Sequence, residues 1–340
     1  MLGFLLTSCS FPRATGVAAP QAYTRIARTD TNTVELQIAV RKFVPVRHGG
    51  PVIWLVGTSH IGDVEYYRAL QKHLDAQTVV LYEGVNAGAH KHHAREAVAS
   101  ADAAPVQEKA VPDKNKTNEV QGIQATLAKS LGLVFQLDAI DYDRTNFLNS
   151  DLSIQEIQRL MMGEEENSSA HAGQTVRPGG RGNPSFQYLI QVMDGSSFLG
   201  SMMRLGVQFL GSSAKLQAIT KLTLIETLGG LKGDLSQLQG MPPDLQQLVK
   251  VLIEARNQRV IEDLKKESKL MPRSGSIAIF YGTGHMDNME KRITRDMKYR
   301  AAEEMWLTAF SVDTRKSGLS AGEMEMVRSL VKWQLDQMQQ

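Results

Sequence analysis

The sequence predicts an α/β domain with a mostly parallel central sheet, flanking helices and a helical insertion. Three observations predict it. Val52-Ile53-Trp54-Leu55-Val56 and Ile277-Ala278-Ile279-Phe280-Tyr281 are compact apolar runs, β-branched and aromatic and closed by glycine, which reads as buried strand rather than helix. Each run leads into the same signature, Gly57-Thr58-Ser59-His60 and Gly282-Thr283-Gly284-His285, followed by an aspartate (Asp63, Asp287) placed to cap a helix. A further buried run, Thr78-Val79-Val80-Leu81-Tyr82-Glu83-Gly84, follows the first helix, and a strand–helix–strand order this compact implies a parallel crossover.

Taken from the start, Met1 to Ser10 is apolar and ends near the chain's single cysteine, Cys9. Leu6-Thr7-Ser8-Cys9 resembles a bacterial lipobox, although no Lys or Arg precedes the apolar run. That resemblance implies lipidation at Cys9, a tether over residues 1–32 and an α/β domain over 33–340. Val34 to Val40 alternates polar and apolar residues, which predicts a half-exposed strand at a sheet edge. Asp63 to Ala76 reads as a helix with Val64, Tyr67, Leu70 and Leu74 on one face.

Residues 86–118 change character, with few large apolar side chains and three histidines, His90, His92 and His93. A His-rich tract can bind metal, but the flanking composition reads as solvated chain. Ile123 to Leu131 predicts a helix, and Leu133 to Asp138 a third core strand. Asp138, Asp141 and Asp143 read equally well as site groups and as turn or cap residues.

The insertion spans about 151–269. Ser153-Ile154-Gln155-Glu156 is a capping box that opens a helix, and the Gly/Pro-rich stretch within 164–185 marks a loop. Ser196 to Leu231 is apolar but interrupted by glycine and charge, too broken for a membrane span, and reads as a helical cap over the sheet. Pro242-Pro243-Asp244 starts a helix from Leu245 to about Glu267, and Arg256 falls on its apolar stripe. Two readings of Arg256 stand: a side chain snorkelling at the rim, or a guanidinium that reaches a carboxylate or a developing anion. Asp287 to about Glu304 predicts a helix and Trp306 to Val312 a last strand. Ala321 onward predicts a helix with Met324, Val327, Leu330, Val331 and Leu335 as its apolar face.

The 38 basic and 36 acidic residues nearly balance, so nothing points to nucleic acid as a partner. One cysteine excludes an intramolecular disulfide and a thiolate zinc cluster. There is no Gly-x-Ser-x-Gly elbow, no Walker motif and no Gly-x-Gly-x-x-Gly after a strand. What remains is His60, His285 and Glu83, all at strand ends, where open α/β sheets bind ligands. Two imidazoles and a carboxylate suit zinc, manganese, cobalt or ferrous iron with a position left for water, which would support hydrolysis. A metal-free version is also coherent, with Glu83 as general base and one histidine as acid.

With these motifs the chain resembles the TraB/PrgY/GumN superfamily, which includes the Tiki proteins and is similar to erythromycin-esterase and ChaN-type folds. The resemblance rests on Leu55 to His60, on Val79 to Glu83, on the Arg256-Asn257 pair and on Phe280 to Met286. It implies that His60, His285 and Glu83 form the active-site signature, that the family's helix arginine is Arg256, and that manganese or cobalt serves a Tiki-like metalloprotease. The expected protein is a lipid-anchored, periplasm-facing hydrolase of the cell envelope, at the outer membrane, acting on a peptide or another amide or ester. The pheromone-shutdown branch implies an alternative, a non-enzymatic protein that binds a peptide signal.

Overall fold

The computed structural model describes residues 22–47, 49–84, 124–161, 213–231 and 251–338. Cys9 and the lipobox, the His90, His92 and His93 tract, the loop expected at 164–185 and residues 242–250 of the expected long helix lie outside the described residues.

The strands are β1 (Thr24–Arg28), β2 (Thr33–Pro45), β3 (Val52–Thr58), β4 (Ile61–Gly62), β5 (Val79–Tyr82), β6 (Val134–Phe135), β7 (Phe147–Asn149), β8 (Ser276–Gly282) and β9 (Tyr299–Asp313). Among the described residues the main sheet has seven strands in the order β1-β2-β3-β8-β5-β7, with β9 also on β2. β1, β3 and β9 run antiparallel to β2, whereas β8, β5 and β7 follow β3 in parallel. β2 alone therefore opposes the other strands, and the sheet is mostly parallel as the apolar runs predict.

The helices are α1 (Val64–Asp75), α2 (124–130), α3 (Gln136–Ala139), α4 (Ile154–Met161), α5 (Ala214–Gly230), α6 (Arg256–Leu270), α7 (Met286–Arg295) and α8 (Ala321–Met338). Alternation along each central strand sends side chains to two cores. Val56, Val80, Ala278 and Phe280 face α1, α5 and α8 through Tyr67, Leu70, Leu222 and Val331. Leu55, Leu81, Ile277 and Ile279 face α6 and α7 through Val260, Leu264, Met286 and Met289. The result is a three-layer sandwich, with both faces of the parallel half buried.

Several expectations are corrected. The tether does not extend to residue 32, because Thr24–Arg28 pairs with β2 and Thr24 Oγ1 donates to the Leu228 carbonyl of α5 at 2.8 Å. β2 is not an edge. β9 covers one side of it from Thr33 to Pro45, and β1 and β3 lie end to end along the other, opposite Val34–Ile38 and Val40–Phe43. Glu35 and Gln37, the polar residues of the alternating stretch, are half-buried within the sheet, where the Thr308 hydroxyl donates to Glu35 at 2.8 Å. Leu133–Asp138 is not a core strand. Val134–Phe135 pairs with β4 in a separate two-stranded sheet, the chain turns into α3, and β7 takes the place beside β5. Asp63 stands at the N-cap of α1 without a side-chain cap hydrogen bond, and Asp287 lies inside the first turn of α7. α7 ends at Arg295, and a turn through Lys298, at φ 59°, sends the chain into the long β9. Val64 of α1 and Leu330 of α8 are exposed rather than on the buried faces. The capping box at Ser153 forms as expected, with Ser153 N donating to Glu156 Oε2 at 2.7 Å and Glu156 N to Ser153 Oγ at 3.2 Å. Among the described residues no helix is long and apolar enough to cross a membrane.

Candidate functional site

The parallel register sets the site. Val52 pairs with Ser276 and the alignment holds to Thr58 and Gly282, so the two Gly-Thr-x-His signatures leave neighbouring strands within one residue of the same level. β5 ends one strand further along, with Tyr82 beside Phe280, and delivers Glu83 to that level. After Gly282 the chain makes a 3-10 turn, Thr283–His285, directly into α7, which turns His285 back over the strand ends. Gly57 is closely packed: a Cβ there would lie 3.1 Å from Ile38 Cγ2 and 3.3 Å from the Ala39 carbonyl, so its neighbours would have to give way.

Above the strand ends is a cavity of about 490 Å³. His60, Glu83, Arg256, Gly282 and His285 form its polar side; Leu36, Ile38, Leu127, Leu228, Leu252 and Ile253 line the rest. Leu252 and Ile253 come from a π turn, Val251–Ala255, that precedes α6. Leu36 and Ile38, buried residues of β2 opposite β1, lie against the cavity together with Thr24 of β1 and Thr58 of β3.

Glu83 is held from two sides. Arg256 Nη2 donates to its Oε1 at 2.7 Å and the Gly282 backbone N–H to its Oε2 at 2.7 Å. Burial works against its charged form, but the Arg256 guanidinium, the neighbouring imidazoles and the Gly282 N–H outweigh it and hold the carboxyl down at about 2. Glu83 is a fixed carboxylate and a weak base. Arg256 is buried, and its remaining contacts identify a residue that the sequence reading missed: Asp151, whose carboxylate accepts from Arg256 Nε at 2.8 Å and Nη2 at 2.6 Å. The Asp151 side chain is 0% exposed and also accepts from the backbone N–H groups of Gly84 and Leu152. The rim reading of Arg256 is thus replaced by a forked clamp between two carboxylates. Asp151 follows the three-residue strand β7, too short to announce itself by periodicity. The one signal is an aspartate two positions before a capping box.

His285 is buried, with Nε2 3.9 Å from Glu83 Oε1 and Nδ1 2.7 Å from Asn257 Oδ1. Its ring meets Tyr281 edge-on at 5.3 Å, and the Tyr281 hydroxyl donates to the Ser150 carbonyl. Burial pushes the imidazole down, to about 4, partly offset by the Glu83 charge, so His285 is neutral at neutral pH. His60 is exposed at the cavity rim, anchored by its carbonyl, which accepts from Gln136 N at 2.8 Å. Glu83, Arg256 and His285 are therefore in one cluster and His60 lines the same cavity from its rim. Among the described residues, no three His, Cys, Asp or Glu side chains converge closely enough to hold a metal ion. Asp138, Asp141 and Asp143 are not in the cavity lining; Asp141 accepts from the Asp143 N–H, which makes it a turn residue.

Comparisons with curated proteins and with solved structures gave no match. A family model does match, over residues 43–296, and that span contains both Gly-Thr-x-His signatures, Glu83, Asp151, Arg256 and Asn257. On that match across most of its length, the chain belongs to the TraB/PrgY/gumN family.

Proposed function

We propose that the protein is a metal-dependent hydrolase acting on a peptide or another amide or ester, with the reaction at the ends of β3, β5 and β8. The observation that carries this reading is the pairing of a neutral buried imidazole with a fixed carboxylate, His285 Nε2 to Glu83 Oε1 at 3.9 Å, on the wall of a cavity shared with His60. The donor chemistry fits manganese, cobalt or zinc. Glu83 stays ionised near neutral pH and keeps acceptor capacity beyond the two hydrogen bonds it makes. His285 and Glu83 would hold the ion with His60 as third ligand. The ion would make bound water acidic and polarise the scissile carbonyl.

The chain's own residues supply the rest. Arg256 fixes Glu83 and is itself fixed by Asp151, so the carboxylate keeps its place without a ligand. With its fork committed to carboxylates, Arg256 acts as a clamp, and the low pKa it gives Glu83 weakens that carboxylate as a proton acceptor. The apolar wall opposite the polar cluster would exclude water around a bound substrate. Lipidation at Cys9 would tether the domain to the cell envelope, facing the periplasm.

One observation favours a second reading, a peptide-binding protein without chemistry. Both Glu83 oxygens already accept hydrogen bonds, and no three-ligand cluster forms among the described residues. Metal content separates the two. The full chain, reconstituted with manganese, cobalt or zinc and desalted, should retain stoichiometric metal, and His285→Ala and His60→Ala should lose it. If the wild type retains none of the three ions, the hydrolase reading gives way to the binding one.

A further inference from the structure

Whether Nε2 of His285 carries a lone pair or a proton decides what the ring can do towards Glu83 and the cavity, and the hydrogen bonds behind the ring determine which. Arg292 is a pure donor, and its Nε donates to Asn288 Oδ1 at 2.7 Å. That oxygen also accepts from the Asn257 side chain at 3.1 Å, so the atom of Asn257 facing it is the amide nitrogen. The same nitrogen donates to the His285 carbonyl, which can only accept, at 3.2 Å. Two independent partners, a guanidinium at one end and a main-chain carbonyl at the other, thus fix the same orientation of the Asn257 amide. Its oxygen is left facing His285 Nδ1 at 2.7 Å, so Nδ1 must hold the proton. The Tyr281 ring packed edge-on against the imidazole, and tied by its hydroxyl to Ser150, opposes a ring flip that would exchange the two sides.

We propose that Asn257 is a positioning residue that holds His285 as the Nδ1–H tautomer and leaves the bare Nε2 lone pair directed at Glu83 and the cavity. For its consequence in turnover this rests on the hydrolase reading above; the tautomer itself does not. A lone pair at Nε2 is what a metal ligand or a proton acceptor needs, and a histidine ligand whose other nitrogen donates outward is the usual arrangement at metal centres. A proton at Nε2 would instead donate towards the carboxylate and close the ring to either role. Neither Asn257 nor Asn288 is itself a lining residue, and the hydrogen bonds of Asn257 reach the cavity wall at His285, so its effect would be exerted through that histidine.

The test is a long-range proton–nitrogen correlation spectrum of metal-free protein labelled with ¹⁵N-histidine, at neutral pH, with His285 assigned by its loss in His285→Gln. In the wild type, Nδ1 is expected at the shift of a protonated ring nitrogen and Nε2 at that of a bare one. Asn257→Leu removes the acceptor and should move the proton to Nε2, wholly or in exchange. Asn257→Asp restores an acceptor and should return it to Nδ1, a rescue that a merely structural role for Asn257 would not produce. A wild-type His285 with its proton on Nε2 overturns the proposal, as does a folded Asn257→Leu protein that keeps the proton on Nδ1. If Asn257→Leu does not fold, the wild-type spectrum decides. The spectrum is read without metal or substrate, so loss of the hydrolase reading and loss of the tautomer assignment are separate results.

Discussion

Glu83 at the end of β5 accepts a hydrogen bond from the Gly282 backbone N–H at the end of β8, 2.7 Å away. A side chain on one strand is thereby fixed by the main chain of its neighbour, and Gly282 is small because the carboxylate needs the room. A Cβ at this position would lie 3.3 Å from Glu83 Oε2, and Glu83 cannot simply retreat because Arg256 holds its other oxygen. Gly282→Ala should destabilise the fold by about 1 kcal/mol, at the low end of the range for overpacking a filled site. Urea denaturation checks this, and a wild-type midpoint would mean that the clamp yields.

Arg256 lies between two carboxylates, Glu83 and Asp151. Arg256→Met leaves both buried without their cation and should destabilise the protein by about 3–5 kcal/mol, the range for breaking a buried pair from one side. Arg256→Lys keeps the charge but loses the fork, and should recover only part of the loss. Adding Asp151→Asn to Arg256→Met should also recover stability, because one stranded charge is removed. Thermal and urea unfolding of the four proteins gives the order. An Arg256→Met protein as stable as the wild type would show that the carboxylates find other partners.

Acid should weaken the site in two steps of the same sign. His285 is held at about 4 in the fold against 6.5 for a free histidine, so the unfolded chain binds the proton more tightly. Its contribution is complete above about pH 6.5 and is lost as the pH falls towards 4. Glu83, at about 2 against 4.5, contributes fully above about 4.5 and loses its share below that. Chelator-treated wild type should therefore lose stability from near neutrality downward, while His285→Gln should lack the first step. Equal pH slopes for the two proteins between about pH 7 and 4 would contradict the depressed histidine.

The residues nearest the proposed chemistry were the most legible in the sequence, and for a physical reason. His60, Glu83 and His285 each follow an apolar run that periodicity marks as strand, and strand ends in a parallel sheet share one level. Arg256 was noticeable because a charge on an apolar stripe demands a partner. That partner, Asp151, was not legible, since it follows a strand of three residues and its pairing spans over a hundred positions. Asn257 belongs to the Arg-Asn pair of the family resemblance, but its hydrogen bonds to His285 and Asn288 depend on the packing of α6 against α7, which periodicity does not report. The misreading of β2 is similar. Alternation reports which face of a strand meets solvent, and it carries no information about the edges, which β9 covers from the far end of the chain.

The end-to-end placement of β1 and β3 along β2 has a consequence for how this protein could change. Every polar residue of the cluster lies within the stretch that matches the family, residues 43–296, whereas Thr24, Leu36 and Ile38 precede it. Part of the cavity's apolar wall is thus written outside the stretch that carries its polar groups. Recutting the floor at Leu36 or Ile38 alters what fits the cavity while Glu83, Arg256 and His285 stay in register, so the cavity's shape can drift without the polar cluster being rebuilt.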